Sequence, residues 1–373
     1  MFRLSNLIKS TLQEQKSRSL DGSIIIWNMT NRCNLLCHHC YSKASANEKE
    51  SLSLEDILKT IPKLKNANIN FVIFSGGEPL LRKDIFEIAQ CMKDNKIMTY
   101  LSTNGTYITQ KNAQKIIDTF NYIGISIDGI GEVHDYFRGQ KGSYDKSIEA
   151  IKTIQKKGGN AGIRFTITKE TESSFYDIFT LAEELNVNKI YISHLVYSGR
   201  GKENLEIDIS KEKRREYVNF MINKAFEYYE NGKDIDIVTG NMEMDAIMLL
   251  KEFEKKYPDF VNSLKNRLKS WGGNSAGKRL GNMDWNGFVK PDPFFPMTIG
   301  NYLEKDFDKI WLDDNNELLK KLREFPRNIK GKCSSCKYID ICNGGSRSRA
   351  YAISGDLWDE DPSCYLTLEE IKG

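Results

Sequence analysis

The chain has 373 residues, 40% of them hydrophobic and 11% aromatic, which is ample for a large packed core and excludes a disordered protein. Its 54 basic and 51 acidic residues leave a net charge of +3, which excludes a nucleic-acid binder driven by bulk charge. No apolar run has the length of a signal peptide or a bilayer span, so a cytoplasmic protein off the membrane, with reduced thiols, is expected.

Residues 1–22 read as an N-terminal extension. From 23 to 197 short β-branched runs alternate with amphipathic stretches of helix length. The strand candidates are "SIIIWNMT" (23–30), "NFVIFSG" (70–76), "IMTYLS" (97–102), "YIGISID" (122–128), "GIRFTIT" (162–168) and "KIYISHLV" (189–196). Helix-period stretches such as "SLEDILKTIPKLKNA" and "SYDKSIEAIKTIQKKG" lie between them. Strands that are apolar throughout, each followed by a crossover helix, imply a parallel sheet covered on both faces. Six such units fall short of a closed eight-stranded barrel, so the expectation is an α/β fold, a partial (β/α)6 barrel with its chemistry at the C-terminal strand ends. Residues 198–270 read as a helical connection, and 271–373 as a small C-terminal domain held together by metal rather than by a large core.

The strand ends carry the unusual residues. After the first comes "TNRCNLLCHHCYS", with Cys33, Cys37 and Cys40; the next three are followed by "SGGEP", "STNG" and "SIDG". Three thiolates in one short loop suit an iron–sulfur cluster that keeps one iron without a protein ligand. A zinc site completed by His38 or His39 satisfies the same count. Near the end, Cys333, Cys336, Cys342 and Cys364 give C-x2-C-x5-C-x21-C, a full set for one further cluster or for a zinc ribbon. The eighth cysteine, Cys91 in "IFEIAQCMKD", belongs to the apolar side of a helix and reads as a core residue.

"CNLLCHHCY" after one strand and "SGGEPLL" after the next resemble the radical S-adenosylmethionine (SAM) enzymes, whose pattern is C-x3-C-x2-C beside an aromatic residue, here Tyr41. The resemblance implies a 4Fe–4S cluster on Cys33, Cys37 and Cys40 whose open iron chelates SAM. It also implies one-electron cleavage of the sulfonium to a 5′-deoxyadenosyl radical that abstracts hydrogen from substrate. By the same resemblance Gly76, Gly77, Glu78 and Pro79 meet the methionine moiety, with Glu78 pairing its ammonium. Ser102, Asn104, Ser126, Asp128 and Arg164 fall where ribose and carboxylate are held. The last four cysteines resemble a C-terminal extension of the SPASM or twitch type, which implies one auxiliary 4Fe–4S cluster and two clusters in all.

Stretches outside these motifs extend the likeness. "SIDGIGEVHDYFRGQKGSYDKSIEAI", "YISHLVYSGRGK", "IVTGNMEMDAI" and "WGGNSAG" are similar to the radical enzymes of haem d1 biosynthesis. That resemblance implies removal of propionates from 12,18-didecarboxysiroheme, with a ferredoxin or flavodoxin as electron donor. The siroheme-dependent haem pathway, acting on didecarboxysiroheme or iron-coproporphyrin, is the neighbouring reading. One departure is "VKPDPFFPMTIGN", where the family pattern calls for a histidine at Lys290. An anionic tetrapyrrole needs cations near the radical, and Arg138, Lys141, Arg200, Lys202, Arg347 and Arg349 are the candidates. His194, at a strand end, is a candidate for adenine or a substrate iron, or a satisfied structural histidine. A peptide maturase shares both cysteine sets. Such enzymes often carry a peptide-recognition domain of about eighty residues, and only some 22 precede the first strand here. A non-catalytic electron carrier has no use for "SGGEP".

Overall fold

The computed structural model describes residues 1–15 and 22–372. In chain order its strands are β1 (Phe2–Arg3), β2 (Ser23–Thr30), β3 (Ile69–Gly76), β4 (Met98–Thr103), β5 (Tyr122–Ser126), β6 (Ala161–Ile167), β7 (Lys189–His194), β8 (Asp236–Gly240), β9 (Leu280–Met283), β10 (Phe288–Lys290) and β11 (Gly300–Asn301). They form one 11-stranded sheet in the order β1-β8-β7-β6-β5-β4-β3-β2-β9-β10-β11. From β2 to β8 every neighbour is parallel, and β9 joins β2 in parallel. The edges β1, β10 and β11 run antiparallel.

Each strand buries one face under helices and turns the other inward. On β2, Ile25, Trp27 and Met29 are 0% exposed, while Ile24 and Ile26 on the opposite face are half-buried. Burying a side chain of that size contributes about 1.5–3 kcal/mol, so period-two alternation fixes which face meets the helices. Helix Leu54–Asn66 starts where the Ser53 hydroxyl accepts from the Asp56 amide at 3.1 Å. Glu55 and Asp56 occupy its first turn and Lys63 and Lys65 its last, matching the helix dipole at both ends. Cys91 is half-buried on helix Ile85–Asp94 and packs against the main core.

Two boundaries differ from the expected organisation. The segment 198–270 is not wholly helical, because Asp236–Gly240 enters the sheet beside β7. Its five residues, flanked by a polar turn, fall below the length at which alternation is readable. Beyond 271 the sheet continues through β9 to β11, and Tyr338, Ile341, Cys342, Cys364 and Leu366 share the main hydrophobic core with the barrel. Of the N-terminal extension, Phe2–Arg3 pairs with β8 and Leu4–Leu12 is helical; residues 16–21 lie outside the described residues.

Candidate active site

The three-cysteine loop leaves the C-terminal end of β2 and folds back so that Cys33, Cys37 and Cys40 pack together with Leu35 and Ala44. Its backbone is held by other strand ends. The Cys33 amide donates to the Ser45 carbonyl at 3.0 Å, and the Leu36 and His38 amides donate to the carbonyls of Arg138 (3.2 Å) and Phe137 (3.0 Å). From the segment after β7, Arg200 donates through its amide to the Cys40 carbonyl (2.9 Å), through Nε to Cys37 (2.7 Å) and through Nη1 to Ala44 (3.2 Å). Asn204 Nδ2 takes the His38 carbonyl at 2.9 Å. With most of its peptide groups satisfied elsewhere, the loop gathers its three thiols into one cluster. Burial, with Glu78, Cys37 and Cys40 adding to it, pushes the Cys33 thiol up to about 12. Three buried thiols in one loop form a donor set for a metal centre, which favours their thiolate forms.

The "GGEP" turn is fitted against that loop. A Cβ on Gly77 would sit 2.0 Å from the Arg32 carbonyl, and one on Gly76 (φ +120°) 2.3 Å from the Thr30 carbonyl. The Gly77 and Glu78 amides donate to those same two carbonyls, each at 2.8 Å. The close approach that demands glycine is therefore to the cysteine loop's own backbone. Glu78 is 0% exposed. Its carboxylate accepts from the Leu80 amide (3.1 Å), the Thr103 hydroxyl (2.8 Å) and the Asn104 amide (2.8 Å), tying the second strand end to the third. Pro79 opens the short turn Pro79–Leu81. Asn104 Nδ2 donates to Asn34 of the cysteine loop at 3.0 Å. Tyr41 reaches back to β2, donating to Asn28 Oδ1 at 2.8 Å.

Register places a second group on the inner face. Ser102 pairs with Gly124, Ser126 pairs with Arg164, and Arg164 pairs with Tyr191. Arg164 lies 4.5 Å over the Tyr191 ring, and a Cβ on Gly124 would meet its Cδ at 2.8 Å. Ser102, Ser126 and Arg164 are each half-buried.

The description "Radical SAM superfamily" fits a family model over residues 27–182. The chain is 36% identical to the pre-heme d1 synthase of Dinoroseobacter shibae over 99% of its own length and 93% of that protein. It belongs to the radical SAM superfamily. It is also 37% identical to the Fe-coproporphyrin III synthase of Methanosarcina barkeri, across 93% of this chain and 89% of that one. The fold is similar to Streptococcus suis SuiB bound to S-adenosylmethionine, with a TM-score of 0.70, 18% identity, and coverage of 93% of this chain and 78% of that one. This radical SAM enzyme therefore uses a 4Fe–4S cluster and SAM. Among the described residues no helix is long and apolar enough to cross a membrane.

Several charges expected to meet substrate are engaged inside the radical SAM enzyme. Arg138 pairs with Asp128 and points Nη1 at Cys37 Sγ, 3.7 Å away. Asp128 is fully buried, and although burial raises its pKa, the Arg138 charge holds the carboxyl below its usual range. Arg200 is the loop clamp described above. Arg347 donates to the carbonyls of Gly344, Gly345, Leu357 and Asp359. Arg349 pairs with Asp361 at 2.7 Å and takes the carbonyls of Leu195 and Asn241 just beyond β7 and β8. His194 sits between Arg214 (3.2 Å) and Asp245 (3.6 Å), and burial lowers its pKa. Guanidinium groups drawn into the protein need partners there, and main-chain carbonyls and carboxylates supply most of them. Lys141 and Lys202 remain exposed.

Cys333, Cys336, Cys342 and Cys364 line one small cavity of about 20 Å³, with Met244 and Lys332 beside them. Burial pushes Cys333 up to about 12, with Cys364 adding to it, the same opposition as in the first set. The reading of the sequence missed the network that joins this pocket to the barrel. Arg214 binds Asp208 at 2.8 Å, and Tyr365, next to Cys364, donates to Asp245 at 2.8 Å. The overlooked signal was the strand before "GNMEMDAI", which makes that segment a strand-end loop.

Proposed function

We propose that this chain is a radical SAM enzyme of modified-tetrapyrrole biosynthesis, acting on propionate side chains of 12,18-didecarboxysiroheme in haem d1 formation. The observation that carries the reading is the 36% identity to a pre-heme d1 synthase along 99% of the chain. The strand-end arginines lend it no support, since their guanidinium groups are occupied inside the protein.

Cys33, Cys37 and Cys40 are the three ligands of the SAM cluster in this reading, and their thiols can leave one iron for a chelating molecule. The cofactors supply one-electron chemistry and a hydrogen-abstracting species; the protein supplies position and exclusion of water. Gly76 and Gly77 let the turn press against the cysteine loop. Glu78 fixes Asn104 within reach of the same loop. Ser102, Ser126 and Arg164, neighbours across β4, β5 and β6, offer donors to the ribose hydroxyls and carboxylate of SAM. Cys333, Cys336, Cys342 and Cys364 hold an auxiliary 4Fe–4S cluster, for which the convergence of four thiols on the wall of one cavity is the support. The physiological reductant in this reading is a ferredoxin or flavodoxin.

A second reading, the sister haem branch, has its own support in the 37% identity to an Fe-coproporphyrin III synthase. Purified, anaerobically reconstituted enzyme with dithionite and SAM separates the two. On the first reading, 12,18-didecarboxysiroheme accelerates 5′-deoxyadenosine formation and loses the mass of one or both propionate groups. Appearance of iron-coproporphyrin as the product, or conversion of added iron-coproporphyrin propionates to vinyl groups, instead puts the enzyme in the haem branch. If neither tetrapyrrole binds and a small peptide is crosslinked, the tetrapyrrole reading fails.

A further inference from the structure

Arg138 ends helix Glu132–Arg138, and the last two carbonyls of that helix accept amides from the cysteine loop. The attachment brings its guanidinium, on a residue 8% exposed, to 3.7 Å from Cys37 Sγ. The other side of the same guanidinium pairs with Asp128, which is 0% exposed and anchored by the Thr166 amide at 2.6 Å. The three sulfurs of the loop are not equivalent. Cys33 accepts from the neutral Leu35 amide (3.4 Å), Cys40 contacts the neutral Ser42 hydroxyl (3.5 Å), and Cys37 has a cationic donor. Both members of the pair come from one strand end: Asp128 lies two residues past β5, and Arg138 ten residues further on.

We propose that Arg138 sets the reduction potential of the cluster on the three-cysteine loop by donating a charged N–H to Cys37, with Asp128 as the countercharge that limits the effect. The inference rests on Cys37 being a cluster ligand. Reduction adds one electron to the cluster from an external donor, with no bond made or broken, so the reduced state carries one more negative charge. A cation on a ligand sulfur stabilises that state more than the oxidised one, and does so strongly in a water-poor site. The carboxylate opposite offsets part of the field and keeps the guanidinium aimed at sulfur. Removing the cation therefore lowers the potential, and neutralising the anion raises it.

The test uses the full-length reconstituted enzyme, titrated with dithionite and redox mediators and followed by electron paramagnetic resonance without SAM. The signal that changes when SAM is afterwards added identifies the loop cluster. Arg138→Gln is expected to keep its iron and cut the reduced-to-oxidised ratio at a fixed potential about tenfold, about 59 mV for a one-electron couple. Asp128→Asn is expected to move the ratio in the opposite direction, and Arg138→Lys to stay near the parent. An unmoved potential in Arg138→Gln with iron retained overturns the proposal. So does a shift of the same sign in Arg138→Gln and Asp128→Asn, which is what a merely structural role produces. A Cys37→Ser variant that keeps its full iron complement would instead remove the ligand assignment beneath it.

Discussion

Glu78 holds a carboxylate that is fully buried, and three donors from two strand ends are its compensation. Burial raises its pKa while the Asn104 and Leu80 amides and the Thr103 hydroxyl oppose the rise. In Glu78→Gln the new amide nitrogen would turn one acceptor into a donor facing another donor. Hydrogen bonds to a charged group are worth about 1.5–3 kcal/mol, and about 1.4 kcal/mol is a factor of ten in affinity. The variant is expected to bind SAM at least tenfold more weakly in an equilibrium titration while keeping its iron; an unchanged dissociation constant would remove Glu78 from the binding apparatus. The residue type and position were readable from "SGGEP", but its partners were not, because contacts between neighbouring strand ends leave no pattern in one sequence. Arg138, Arg347 and Arg349 show the complementary limit. A sequence displays the charge without telling whether water or main-chain carbonyls surround it.

At the level of elements, the parallel strands from β2 to β7 were legible because each is an apolar run bounded by turn residues. What alternation did not reveal is how the inner face is filled. Large side chains there stand beside glycines on the adjacent strand: a Cβ on Gly162 would meet the Tyr122 hydroxyl at 2.2 Å, and one on Gly240 the Tyr191 hydroxyl at 1.9 Å. β8 and β9 escaped notice because each is short and sits in glycine-rich or polar sequence. The join between the second strand end and the cysteine loop gives the sharpest test at this scale. Gly77 lies outside the positive-φ glycines, so only the 2.0 Å approach of a Cβ to the Arg32 carbonyl forbids alanine. Overpacking of this kind costs about 1–3 kcal/mol. Gly77→Ala is expected to lower the thermal unfolding midpoint and to lose iron from the loop cluster, up to about half the total on two four-iron clusters. A variant with full iron and an unshifted midpoint would show that the turn and the loop are not coupled.

Across the whole molecule the two cysteine sets lie toward the same rim. The first loop leaves β2 at its C-terminal end. The segment carrying the second set is fastened to the ends of β7 and β8, where Arg349 binds the Leu195 and Asn241 carbonyls and Asp361. Removing one partner of a buried pair like Arg349–Asp361 typically costs about 3–5 kcal/mol, because the other charge is left buried and unpaired. The sequence pattern identified the quartet but represented its surroundings as held by metal alone, since irregular backbone hides the residues that share the barrel's core. Two separate clusters with separate duties are expected of the two cysteine sets, and iron content joined to SAM cleavage measures them. Anaerobically reconstituted protein is expected to hold about eight irons, at four per cluster. The triple variant Cys33→Ala, Cys37→Ala, Cys40→Ala is expected to keep about half of them and to lose SAM cleavage altogether. Stoichiometric zinc with no iron, or a triple variant that still cleaves SAM, would contradict that division of duties.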